Sequence, residues 1–98
     1  MNSEVIGTFE VTDHYVLKDR GAFVIGNILG GAIKVGGKVR LPDGVTSWTI
    51  SGVEFIDNIA QRIYRNALVF RERPALEELQ RSFPVGTQIE VFAAGDID

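Results

Sequence analysis

Between Asp13 and Leu41 the chain reads DHYVLKDRGAFVIGNILGGAIKVGGKVRL. Two apolar, β-prone runs meet in this stretch, and each is bounded by tight-turn chemistry. Lys18-Asp19-Arg20-Gly21 precedes the first run, Gly30-Gly31 follows it, and Gly36-Gly37 interrupts the second. Alternation is cleanest at the end, where Val39 and Leu41 point one way and Lys38 and Arg40 the other, the period of a half-buried strand. Turn glycines reach positive φ without steric cost, so the two runs are expected to fold back on each other as antiparallel strands.

Working outward, Glu4–Thr12 reads as an opening strand with Gly7, Phe9 and Val11 on one face, and Tyr15–Leu17 extends it or forms a short second piece. Ala22–Leu29 is the next strand. It is apolar on both faces, with Asn27 its only polar side chain, as expected where one side lines a core and the other is covered. Ile33–Leu41 follows, broken by a turn or bulge at Gly36-Gly37. Pro42-Asp43-Gly44 is a strong turn signal. Thr46–Ile56 is a long strand with Trp48 and Phe55 on opposite parities, 57–61 a loop, and Arg62–Arg71 another strand around Ala67–Phe70.

Arg73–Phe83 carries the one helical signal. Pro74 suits a first helical position, Glu77 and Glu78 suit the positive end of the dipole, and Leu76, Leu79 and Phe83 form an apolar stripe. Glu77 and Arg81 stand at pairing distance along it. Thr87–Ala93 closes the chain with Ile89 and Val91 inward, before a frayed acidic tail. About six strands and one brief helix predict an all-β fold, a small antiparallel Greek-key-like barrel with a short helix near the C-terminus.

The chain has 98 residues, which suits one compact domain over residues 1–98. Its 45% hydrophobic and 23% charged residues are those of an ordinary globular protein. It has no cysteine, which removes disulfides and thiolate metal ligands. No signal-like segment opens it and no apolar run approaches the ~20 residues of a membrane span, so a cytoplasmic location is expected. Net charge is −3 and the pI about 5.1. Generic nucleic-acid binders carry a basic stripe, so the bulk charge argues against non-specific RNA or DNA binding and leaves room for local patches.

The opening stretch resembles the second domain of translational GTPases, the small barrel that follows the GTPase domain in elongation factor Tu and initiation factor 2. The residues carrying the resemblance are Asp13, Tyr15, Leu17, Arg20-Gly21, Gly26, Ile28, Gly31, Ile33-Lys34-Val35-Gly36 and Val39, without a gap. Gly52-Val53-Glu54-Phe55 is similar to a further strand of that family. The resemblance spans Glu4 to Phe92 and implies the same barrel, here without its GTPase domain. In elongation factor Tu the barrel holds the aminoacyl end of tRNA, and the positions matching its pocket are Asp13, Tyr15 and Glu54. Two features depart from the pattern. Ile25 stands where the family has threonine, and the turn that supplies a pocket asparagine is shortened into residues 58–62.

No catalytic constellation emerges. His14 is the only histidine, so a triad or metal site would rest on one ring, and it reads as a surface histidine on a strand. The glycine-rich segments lack the phosphate-loop spacing and precede no helix, so no nucleoside triphosphate site is expected. The chain reads as a non-enzymatic binding module with no cofactor and no metal. Besides Asp13, Tyr15 and Glu54, the candidate binding residues are Arg62, Tyr64 and Arg65, in a cluster that continues through Phe70 to Arg71 and Arg73. Arginine interleaved with aromatics suits single-stranded RNA, including tRNA, and equally a protein interface. It also suits a solvated edge whose arginines pair with Glu72, Glu77 and Glu78. The expected partner is therefore RNA, the translation machinery, or a protein bound by an interaction or self-associating module with no role in translation.

Overall fold

The computed structural model describes residues 5–58 and 63–93. Its elements in chain order are β1 (Val5–Leu17), β2 (Gly21–Gly31), β3 (Lys38–Arg40), β4 (Ser47–Asn58), β5 (Ile63–Phe70), α1 (Leu76–Ser82) and β6 (Gln88–Phe92).

The hairpin of β1 and β2 forms where the turn chemistry predicts. The Arg20 N–H donates to the Leu17 carbonyl at 3.1 Å, Leu17 pairs with Gly21, and Gly21 takes φ 103°. That value is open to glycine and strained for a side chain. Further along, β1 bulges between Val11 and Asp13, which brings its backbone close to β2 at Gly26. A Cβ on Gly26 would lie 1.7 Å from the Glu10 carbonyl oxygen. Only glycine permits that approach.

The six strands close into an antiparallel barrel in the order β1-β2-β5-β4-β3-β6. The run β2-β5-β4-β3 is a Greek key: β3, β4 and β5 form a meander, and β2 lies beside its last strand. Closure leaves no full-length free edge. Inward-facing side chains follow the period of two along each strand. Phe9, Val11, Ala22, Val24, Val39, Trp48, Ile50, Leu68, Phe70, Ile89 and Val91 are buried in one core cluster. Leu79 and Phe83 of the helical segment complete it. Trp48, Phe70 and Phe83 pack ring against ring, with centroids 5.3, 5.6 and 6.2 Å apart. Each such buried side chain contributes about 1.5–3 kcal/mol by leaving water.

Several boundaries differ from those the sequence suggests. Ile33–Val35 is not strand; the Gly37 N–H closes a turn on the Lys34 carbonyl at 3.0 Å, and pairing resumes only at Lys38. Ile33 still packs against the core from this connection, which is why its apolar spacing imitates a strand. The helix is shorter than Arg73–Phe83. Arg73 sits at φ 53° in a turn, Pro74 is buried ahead of the helix, and extended Ala75 is the N-cap. Two turns of helix leave Leu79 and Phe83 inward and Leu76 41% exposed, so the predicted stripe loses its first member. In β4 an irregularity between Ile50 and Gly52 resets the parity, so that Val53 packs on the core and Phe55 shares its side. That strand also runs on through Asp57 and Asn58, where a loop is predicted.

β2 pairs with β5 only over Ala22–Gly26. Beyond that point β2 continues to Gly31 beside β1 alone, and β5 runs back to Ile63 beside β4 alone. The β4–β5 end thus projects past the barrel wall as a ribbon, whereas the end of β2 lies against the part of β1 that β6 also pairs, in a molecule measuring 46 × 27 × 23 Å.

Candidate binding face

Residues directly opposite each other in antiparallel pairs share a face. Two rows therefore run across the outside of β1, β2, β5 and β4. Tyr15, Phe23, Val69 and Gly52 make one row; Asp13, Ile25, Ala67 and Glu54 make the other. The middle of this outer face is a second apolar cluster of Phe23, Ala67 and Val69, with Leu17 and Ile25 packed against it. The two-sided apolar pattern of β2 thus has a specific cause: its even positions fill the barrel and its odd positions build this outer cluster.

All three residues singled out by the translation-factor resemblance lie on this face, from two strands far apart in sequence. Asp13 is exposed and accepts the His14 backbone N–H at 2.8 Å. Tyr15 is 51% exposed beside buried Phe23. Glu54 forms an ion pair with Arg20, whose guanidinium stands 5.4 Å from the centroid of the Phe23 ring. Arg20 comes from the β1–β2 turn and Glu54 from β4, so their pair reaches across the apolar cluster as a strap. Arg20 is a site residue that the linear sequence does not single out. It reads as turn chemistry, and only the closure of the barrel brings β4 beneath it. Glu10, opposite Asn27, and Arg65, two residues before Ala67 in β5, continue the same face.

The arginine–aromatic edge comes apart in three dimensions. Phe70 is buried in the core at 1% exposure and has no face for a base. Arg65 and Arg71 sit at opposite ends of β5, about 20 Å apart at the rise of a strand. Arg62 lies outside the described residues, as does the side chain of Tyr64, whose backbone pairs with Asp57. Among the described residues no ion pair joins Arg65, Arg71 or Arg73 to Glu72, Glu77 or Glu78, nor Glu77 to Arg81. Glu72 instead accepts the Thr49 backbone N–H at 2.8 Å.

His14 is not a free surface histidine. It sits opposite Val24, on the inward side of β1, and its Nε2 lies 2.5 Å from the Phe83 carbonyl oxygen. A carbonyl only accepts, so the ring donates and ties the end of α1 to β1. Among the described residues no group of three or more histidines and carboxylates could hold a metal ion. No helix among them is long and apolar enough to cross a membrane.

On the opposite side of the ring, at β3 and β6, an open groove of about 290 Å³ runs beside the end of α1. Arg40, stacked 5.2 Å over Phe92, and Glu90 line it. An adjoining groove of about 300 Å³ adds Asp43, Glu78 and Arg81. Their charges are of both signs and select no ligand class.

No protein-family model matches the chain, and neither a curated protein nor a solved structure does.

Proposed function

We propose that this protein is a non-enzymatic binding module that engages a protein partner through the outer face of β1, β2, β5 and β4. The observation that carries this reading is the convergence of Asp13, Tyr15, Glu54 and Arg20 around the Phe23–Ala67–Val69 cluster. A half-exposed tyrosine set on a buried apolar cluster, with charged residues around it, suits a protein interface, where tyrosine and arginine are enriched among the anchoring contacts. The resemblance to the translation-factor barrel supports a partner within the translation machinery.

A second reading is that the same face holds the aminoacyl end of tRNA. It is favoured by the arrival of Asp13, Tyr15 and Glu54, the pocket positions of the resemblance, on one surface.

Tagged protein and its Tyr15→Ala variant, incubated with lysate and eluted in salt steps, test both. A protein retained at high salt by the wild type and lost by the variant supports the first reading. RNA released at moderate salt, and likewise lost by Tyr15→Ala, supports the second, because phosphate contacts weaken steeply with salt. Material that the variant retains equally overturns both.

A further inference from the structure

We infer that the seat formed by Phe23 and Glu54 takes an arginine side chain of the partner protein, and that Arg20 is the internal occupant which this arginine displaces. The inference rests on the reading of the outer face as the contact surface. Arg20 shows what fits there: a planar cation stacked over the Phe23 ring while its N–H groups reach the Glu54 carboxylate. Carboxylate and ring face together match guanidinium better than ammonium, which lacks the flat fork and stacks less well.

The occupant is loosely held. The Arg20 side chain is 55% exposed and that of Glu54 34%, so water competes for both. An exposed pair of this kind shifts an equilibrium by a factor of roughly five at most. Arg20 hangs from a turn and can swing out without disturbing any strand pair. With Arg20 withdrawn, the seat presents the Glu54 carboxylate beside the Phe23 ring, without its own cation. A bare carboxylate attracts a cationic side chain and repels a phosphate. Release of Arg20 as the partner arrives keeps the cluster covered in the free state.

The probe is the capped tripeptide acetyl-Gly-Arg-Gly-amide, titrated at low salt into the full chain and followed by ¹H–¹⁵N amide shifts, with acetyl-Gly-Lys-Gly-amide alongside. The Arg20→Ala variant should bind the arginine peptide about fivefold more tightly than the wild type, since an internal competitor has been removed. Amide signals of Phe23, Glu54 and Ala67 should move, and the lysine peptide should bind more weakly. Adding Glu54→Gln to Arg20→Ala should abolish the effect, with signal dispersion confirming the fold. No gain in Arg20→Ala, or a gain that survives Glu54→Gln, overturns the inference. So does a single-stranded RNA oligonucleotide that moves the same signals at lower concentration than the peptide. If these tests fail while a protein partner is still lost on Tyr15→Ala, the contact face stands and only its arginine seat falls.

Discussion

Asp43 holds the turn between β3 and β4 by accepting three hydrogen bonds from two neighbours. One carboxylate oxygen takes the Val45 and Thr46 backbone N–H groups at 2.8 Å, and the other takes the Thr46 hydroxyl at 2.6 Å. The Thr46 hydroxyl first, then the two backbone donors, favour the charged form and hold its pKa below the ordinary carboxylate value. A depressed folded-state pKa gives stability that is fully present above the unfolded value of about 3.9 and is lost as pH falls through the folded value. The expected outcome is that Asp43→Asn flattens the stability profile below about pH 4 relative to wild type, measured by denaturant unfolding across that range. An acid limb identical in the two proteins would remove Asp43 as its source. The turn itself is legible in Pro42-Asp43-Gly44. Gly26 is a contrasting case: its place in a strand pattern reads as a weakness, and its reason, the Glu10 carbonyl against its Cα, exists only once β1 bulges.

At the scale of elements, the helix shows how a correct pattern acquires the wrong phase. Leu76, Leu79 and Phe83 are spaced as a stripe, yet the backbone enters α1 only after the Arg73 turn and buried Pro74, and Leu76 is left outside. Leu79→Ala should therefore cost about 2–5 kcal/mol, the range for deleting a fully buried leucine. Leu76→Ala should stay within about 0.5 kcal/mol of wild type. Chemical denaturation of the two variants checks this, and equal losses would restore the predicted stripe. Strand β3 teaches the same lesson. Ile33 alternates properly and reaches the core, but it precedes a turn closed by the Lys34 carbonyl and the Gly37 N–H, and the ladder of β3 begins only at Lys38. Apolar spacing reports which side chains are buried; it does not report whether the backbone between them is paired.

For the whole molecule, the limited contact of β2 with β5 sets the pattern of local stability. Backbone groups of Ala22–Gly26 have strands on both sides, whereas those of 27–31 have β1 alone. Amides in 22–26 should exchange with solvent only through global unfolding, and those in 28–30 that face away from β1 at least about a hundredfold faster. Native-state hydrogen exchange reads this directly. Uniform protection along β2 would mean that the free stretch of edge is covered.

The class of fold was legible in the order of residues: alternation, turn residues and one short helical pattern are local signals, and six strands of this kind have few ways to bury their apolar faces. That order also indicated Asp13, Tyr15 and Glu54, through resemblance to the translation-factor barrel. Which charges share a surface was set by the packing of strands far apart in the chain. Pairing of β5 between β2 and β4 brought Glu54 beneath Arg20 and across from Asp13, and the packing of the barrel buried Phe70. The reason is geometric. Periodicity along a strand fixes which face a side chain takes, while neighbours across a sheet are fixed by strand order and register, which no local window of sequence contains.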